Sequence, residues 1–483
     1  MQYISPKDRN QRSMLPESIE DYVTIDSEVR IIEAFVEKMS EEDGLLKMGF
    51  KRSGELATSQ GRPQYSSKLL IKIYVYGYLH HINTSRRLEW LTRTNIEMKW
   101  LLGDLTPDHK TISDFRKDNK SGLKKFFKVF ILFLKDNDLI DGKLVAIDGS
   151  KVKANTNKDM YSIKKLDQAI QNADKEIEEY LTKLDEADKA DNRKNRYKIK
   201  SENIGEKIAR IKSKIQGYEN IKEEMIKRDK KYMGKTDKEC SLMKSRDGKI
   251  PAYNNQMVVD SKNNMIIATE ATASETDAKQ INPMIDKAIE NIREIESVVA
   301  DNGYYEEEDI LKAGKKVNLF VAMNSKTAEK APGFKYDEKS DKYICPSEKE
   351  LLYKNNKVKK GKKYRVYQSS SCNGCSRLDA CTTSVHGRQI NRYINENEIE
   401  IFRQKMNGTK GIKIMKKRKE IIEHVFGSMK LMLGKIPLLT RGINNINNEL
   451  ILFSTAYNFR RMLNVLSFDE IMRRIDGWKF RLV

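Results

Sequence analysis

The apolar positions of this chain change period several times, and each change marks an element. From Asp26 onward, Val29, Ile32, Phe35, Val36 and Met39 recur at helical spacing. The stretch from Ser66 to His81, rich in Leu, Ile, Tyr and Val, predicts a second helix, and Gly122 to about Asp136 another. Between them, Pro107-Asp108 precedes Lys110-Thr111-Ile112-Ser113-Asp114-Phe115-Arg116-Lys117, a capped helix start followed by a basic face. Residues 1–25 are polar and irregular. The pattern over 1–140 is thus all-helical and basic. It suits a DNA-binding unit with Lys110, Arg116 and Lys117 turned to phosphate, or a structural bundle.

The period then shortens. Lys143-Leu144-Val145-Ala146-Ile147-Asp148-Gly149 reads as a buried strand that ends in a carboxylate, although Asp-Gly is also a common turn pair. Over 160–230, Ile163, Leu166, Ile170, Ala173, Ile177 and Leu184 space at threes and fours. After a polar break at Asp188–Asn192, Ile204, Ile208, Ile211, Ile215 and Tyr218 do the same. Two heptad-like helices joined by a polar turn predict an antiparallel coiled-coil hairpin, either an arm for dimerisation or DNA bracing, or a spacer.

Strand patterning resumes at Tyr253–Asp260 and, after the turn Lys262-Asn263-Asn264, at Met265–Thr269. A helix is expected from Thr276-Asp277 through Ile281, Met284, Ile285, Ala288 and Ile292. Ser297-Val298-Val299-Ala300-Asp301-Asn302-Gly303 is a second buried strand closing on an aspartate, and Asn318–Met323 a further one. This order predicts an α/β core with a mixed sheet over 141–159, 231–326 and 396–440. Residues 327–395 interrupt it with a basic, cysteine-containing insertion. Pro437 breaks the helical remainder, and an amphipathic helix over Asn447–Val465 lies in a C-terminal helical segment, 441–483.

Composition adds a partner. Lys and Arg number 91 against 70 Asp and Glu, a formal charge of +21, which favours a polyanion such as nucleic acid. No apolar run approaches the ~20 residues of a spanning helix, and Met1–Lys7 lacks the apolar stretch of a secretory signal. Neither a membrane nor a secreted disulfide scaffold is expected, and the chain is placed in the cytoplasm. Four of its five cysteines fall between 345 and 381. Cys372-x2-Cys375 has the bite of a tetrahedral zinc site, which Cys345 and Cys381 would complete, with His386 as a substitute ligand; free thiols are the alternative. Cys240 stands apart.

The late stretch Lys419-Glu420-Ile421-Ile422-Glu423-His424-Val425-Phe426-Gly427-Ser428-Met429-Lys430 carries the candidate chemistry. As a helix it sets Lys419, Glu423, Gly427 and Lys430 on one face. Gly costs about 1 kcal/mol relative to Ala inside a helix, which predicts a close approach to the backbone at Gly427. Glu423 joins Asp148 and Asp301 as a third carboxylate. Phosphodiester cleavage and transfer build charge on attacking and leaving oxygens. Two Mg²⁺ or Mn²⁺ ions about 3.5–4 Å apart stabilise both, and carboxylates suit such ions. Asp148 would bridge the pair, with Asp301 and Glu423 each holding one ion.

The sequence resembles the bacterial insertion-sequence transposases of the DDE type, with a helical N-terminal domain and a ribonuclease-H-like catalytic core. The matching segments are Val145-Ala146-Ile147-Asp148-Gly149-Ser150, Tyr253-Asn254-x-Gln256-x-Val258-Val259-Asp260, Ala300-Asp301-Asn302-Gly303-Tyr304 and Ile422-Glu423-His424-x-Phe426-Gly427-x-x-Lys430, with Pro107–Arg116 resembling the end of the helical region. The resemblance implies that Asp148, Asp301 and Glu423 form the catalytic triad. It further implies that Lys430, Lys419 and Arg418 bind DNA and that a homodimer pairs two transposon ends at terminal inverted repeats near the nucleoid. The group's Tyr, Arg, Glu, Lys signature is kept in its Glu423-to-Lys430 spacing, while Lys419 stands at the arginine position and Lys416 at the tyrosine position. A nuclease of the same fold, a non-enzymatic DNA-binding relative and an RNA-processing enzyme are the rival readings.

Overall fold

The structure, a computed structural model, describes residues 18–51, 64–189, 204–245, 248–323, 333–359, 361–372, 374–384, 386–433 and 438–479. Ala190–Asn192 in the expected polar break, Pro437, and much of residues 1–25 lie outside them. The chain divides into two units: Met1–Asp141, Gly149–Asp277 and His424–Val483 form one, and Gly142–Asp148 with Ala278–Glu423 the other.

The first unit opens with helices at Glu28–Ser40, Ser67–Leu79, Ser85–Thr94, Ile96–Leu102, His109–Asp118 and Lys120–Asp136. Each start is written locally. Ser27, Ser66, Thr84, Asn95 and Asp108 accept backbone N–H groups of the first turn of the helices they precede. Phe35 is fully buried and meets Phe126, Phe130, Phe133 and Phe459 edge-on. These edge-to-face contacts add to the apolar burial that holds the bundle. Lys72, 5% exposed, is paired with Glu33 at 2.6 Å and Glu37 at 2.8 Å. Burial pushes the Glu37 carboxyl up, but Lys68 and Lys72 outweigh it and hold it at about 2.

Four strand segments belong to this unit. β1 (Leu144–Lys153) enters it at Gly149, and β2 (Ser241–Ser245), β3 (Gly248–Asp260) and β4 (Ile266–Thr272) are antiparallel, β3 pairing with both neighbours. The helix Ile443–Val465 covers β4. It is buried through most of Asn448–Phe459 rather than amphipathic, because its polar side chains serve a strand edge. Asn458 donates to the Ile266 carbonyl and accepts from the Ile266 N–H, both at 2.8 Å. Asn447 accepts from Ala271 N–H at 2.7 Å. Amides thus satisfy edge groups that would otherwise be buried unpaired. Two long helices, Ile163–Lys189 and Ile204–Lys227, occupy the expected arm, packed at their base around Leu166, Met225 and Met233.

In the second unit the N-terminal half of β1 runs parallel to β5 (Ser297–Ala300), and β5 runs parallel to β6 (Asn318–Val321), with helices at Ile281–Ile292 and Glu307–Gly314. The first of these helices begins at Ile281, not at Thr276, because Lys279 takes φ +66°, outside any right-handed helix. The cysteine-containing insertion holds an antiparallel sheet not anticipated from its sequence: β7 (Lys335–Asp337), β8 (Lys342–Ile344), β9 (Glu350–Lys359), β10 (Lys362–Gln368) and β11 (Gln389–Tyr393), in the order β11-β10-β9-β8-β7. Its core is Tyr343, Leu351, Tyr367 and Ile390. Asp341 accepts from the hydroxyls of Tyr336 and Tyr367 and pairs with Arg365. Helices Glu396–Asn407 and Thr409–Leu433 follow, the latter ending in the first unit. No helix among the described residues is long and apolar enough to cross a membrane.

The Asp108 cap receives N–H bonds from Lys110 at 2.9 Å and Thr111 at 3.0 Å. Asp108→Ala is expected to lower stability by about 1 kcal/mol, read as a shifted denaturation midpoint at unchanged slope.

Candidate active site

The β1–β5 register decides where the first two carboxylates go. Leu144 to Ile147 pair with Ser297 to Ala300, so Asp148 and Asp301 are the next residue on each of two neighbouring parallel strands. Adjacent strands lie about 4.8 Å apart. The parallel pairing stops there although β1 continues to Lys153; Asp148 therefore lies within a strand, not in the alternative Asp-Gly turn. Asp301 caps the short turn Asn302–Tyr304, its Oδ1 accepting Gly303 N–H at 2.8 Å.

The third partner at Asp148 is Arg418, whose Nη1 lies 2.9 Å from Asp148 Oδ2, the side chains 12% and 19% exposed. The residue expected to meet DNA phosphate thus makes a mostly sheltered ion pair with the candidate carboxylate. Glu423 lies on the same helix, exposed. Five residues at 3.6 per turn turn it roughly 140° from Arg418. Lys419 and Lys430 are also exposed, and a Cβ at Gly427 would meet nothing within 4 Å among the described residues, so none of them makes the close approach expected there. The structure sets Asp148 beside Asp301 where the parallel pairing stops and pairs Arg418 with Asp148. Among the described residues no three His, Cys, Asp or Glu side chains form a group that could hold a metal ion.

The other expected DNA contacts divide. Lys110 and Lys117 are exposed. Arg116 is not on their face: it turns inward, with its guanidinium 6.0 Å from the Tyr74 ring centroid. Burial lowers its affinity for a proton, but Tyr78, Tyr74 and Glu449 outweigh that and raise it. The helical period put Ile112 and Phe115 in the core, and Arg116 follows Phe115 around the helix. Cys345, Cys372, Cys375 and Cys381 line one small cavity of about 70 Å³, and His386 is not among its walls. The Cys345 sulfur accepts backbone N–H groups of Ser347 and Lys349, each at 3.3 Å. Cys240 is buried elsewhere, its thiol pushed up to about 12 by desolvation and by Asp237.

One cluster was visible in the sequence only as a motif. Asn254 and Gln256, both fully buried on β3, each donate to Asp277 Oδ1 at 2.7 Å. Asn254 Oδ1 is buried with no hydrogen-bond partner. The cluster presses on the backbone after Asp148: a Cβ at Gly149 would land on Asp277 Oδ1 and Gln256 Nε2. Two buried amides on alternate positions of an apolar strand were the available signal, since such groups are kept only where they bond. Gly149→Ala should therefore destabilise the protein by ~1–3 kcal/mol, measured as a fall in melting temperature.

Two family models match parts of the chain. A transposase domain model matches residues 17–118, and a transposase DDE domain model matches residues 344–463. No curated protein matches the chain. A cryo-EM structure of the piggyBac transposase synaptic complex with hairpin DNA aligns over 94% of this chain and 80% of that one, at 11% identity and a TM-score of 0.31, a likeness too distant to bear on the fold. Transposase models thus match its helical N-terminal part and the stretch from the insertion sheet to the late helices, and over these two parts the chain is similar to DDE-type transposases.

Proposed function

We propose that the chain cleaves DNA at transposon ends and joins the freed 3′-hydroxyl to target DNA. The observation that carries this reading is the register that sets Asp148 beside Asp301 where parallel pairing of β1 and β5 stops. Carboxylates at the end of the parallel pairing of two neighbouring strands meet the need of phosphodiester chemistry for hard oxygen ligands. Asp148 and Asp301, with Glu423 from the late helix, would hold one or two Mg²⁺ or Mn²⁺ ions; the donor chemistry and strand placement of the aspartates fit such ions. A divalent ion supplies charge stabilisation for the attacking and leaving oxygens. Arg418 releases Asp148 for that role and becomes available to a phosphate. Lys419 and Lys430, exposed on the helix face of Glu423, hold the DNA backbone, and Lys110 and Lys117 contact it from the N-terminal helices. Arg116 supports that segment from within.

In this reading the strands of 141–159 and 231–326, with the helix over 396–440, form a ribonuclease-H-like core. Residues 1–140 form a DNA-binding domain, and 441–483 close the chain. The helices over 160–230 pair as a coiled-coil arm that joins two copies for synapsis of terminal inverted repeats. Cys345, Cys372, Cys375 and Cys381 line one cavity and would hold a structural zinc ion on drawing closer than they stand here, where they form no metal-holding group.

Asp148→Asn, Asp301→Asn and Glu423→Gln should each abolish Mg²⁺-dependent nicking and strand transfer while retaining duplex binding in a gel-shift assay. Cleavage by all three variants would sink the triad. Metal analysis of the purified chain is expected to find one zinc per chain, lost in Cys372→Ser/Cys375→Ser. A metal-free wild type with unchanged stability would assign the cysteines to free thiols.

A further inference from the structure

From Lys354 to Lys363 six of ten residues are lysine and none is acidic. In the fold this run is the outer part of β9 and the start of β10. β8 pairs with β9 only at Glu350–Leu352, so from Tyr353 to Lys359 the far edge of β9 has no strand beside it among the described residues, and every residue there is exposed. The register sorts the cations. Lys357 stands opposite Tyr364 and Lys359 opposite Lys362 on one face, while Lys363 stands opposite Val358 on the other.

Their partners separate them further. Lys362 is held by Glu306 at 2.6 Å and Glu307 at 3.1 Å, and Arg365 is paired with Asp341 and stacked over Tyr353. No ion pair with a described acid is found for Lys354, Lys357, Lys359 or Lys363, and Lys354 reaches only Gln368 Oε1, at 2.7 Å. Lys357 and Lys359 also border a cleft of about 500 Å³, with Lys362, Tyr364, Arg388 and Asn391 on its walls. A strand edge with outward N–H groups and same-face lysines repeating about every 6.8 Å presents donors in a row.

We infer that the outer part of the β9–β10 ribbon is a second DNA-docking surface, on which Lys357 and Lys359 on one face and Lys363 on the other, with Lys354 further along β9, bind phosphates of duplex DNA, apart from the carboxylate centre. This rests on the reading of the chain as a DNA-acting transposase. Charge complementarity selects the occupant: although Leu352, Tyr353 and Val358 are exposed on β9, the strand carries several lysines and no acid beyond Glu350, and its edge offers backbone donors. Lysines also guard exposed edges against strand pairing, and that role predicts a different outcome below.

The test uses the full chain and a labelled 30-base-pair duplex of arbitrary sequence. Binding of the wild type and of Lys357→Gln/Lys359→Gln/Lys363→Gln is measured across a salt series, with melting temperature and light scattering in parallel. Each lysine that no longer neutralises a phosphate should reduce the slope of log K against log salt by about 0.9. The triple variant is therefore expected to bind more weakly at low salt, with a slope shallower by about 2–3 and an unchanged melting temperature. A wild-type slope in the triple variant, with or without aggregation, overturns the inference; aggregation alone would assign the lysines to edge protection. If the wild type itself shows no salt-dependent duplex binding, the transposase reading fails with it, which a changed or unchanged variant slope does not imitate.

Discussion

Two like charges held on neighbouring strands are the constraint around which the second unit is arranged. Once Ile147 pairs with Ala300, Asp148 and Asp301 follow at adjacent strand positions, where mutual repulsion opposes leaving both ionised. Each carboxylate is met by a separate element. Arg418, from the long late helix, lies on Asp148, and the turn after β5 gives Gly303 N–H to Asp301. Each carboxylate thus has a polar partner from its own side of the centre, and those partners are groups that a phosphate or a divalent ion could replace. Ion-pairing in a half-sheltered site is strong enough to organise side chains and weak enough to exchange.

The same constraint explains why glycine follows Asp148. A carboxylate at the end of parallel pairing is useful only if the chain beyond it is fixed, and here β1 continues against a cluster of Asn254, Gln256 and Asp277. Those amides are expensive to bury and each is bonded to Asp277, so they hold the strand in a single register. On the outer side of the same antiparallel strands, Asn447 and Asn458 satisfy the edge of β4. Buried amides therefore carry two tasks in the first unit, and both are tasks that apolar packing cannot perform.

Much of this was legible in the sequence where the signal was local. Caps such as Ser27, Ser66 and Asp108, and the apolar period behind them, place helices to within a residue or two. The apolar strand cores at Val145–Ile147 and Val298–Ala300 are equally plain. What was not legible depended on partners far along the chain. The helix Ile443–Val465 reads as amphipathic because its asparagines look solvated, yet they face a strand edge nearly two hundred residues away in sequence. Arg116 reads as part of a basic face because charge in a sequence carries no direction; only the ring of Tyr74 shows that it turns inward. The insertion sheet was hidden because the outer part of β9, Lys354–Lys359, is mostly lysine and asparagine, with none of the alternation that marks a half-buried strand. The link between Arg418 and Asp148, 270 residues apart, has no local signal at all.

Charge makes the same point at the scale of the whole chain. A surplus of 21 positive charges identifies a polyanion as partner but leaves its position open. The two long helices near the chain's middle are rich in both signs, and Lys222 pairs with Asp167 between them while Lys238, beyond the second helix, pairs with its Glu224. Lys72 is shared between two glutamates inside the helical bundle. Such cations are already neutralised, and releasing them to a phosphate would leave a carboxylate behind. Lysines without a described acidic partner bear no such cost, because counterion release supplies the gain outright. The relevant map of a basic protein is therefore its unmatched cations, and among the described residues Lys357 and Lys359 on strand β9, Lys110 and Lys117, and Lys419 and Lys430 on the helix that carries Glu423 are exposed examples.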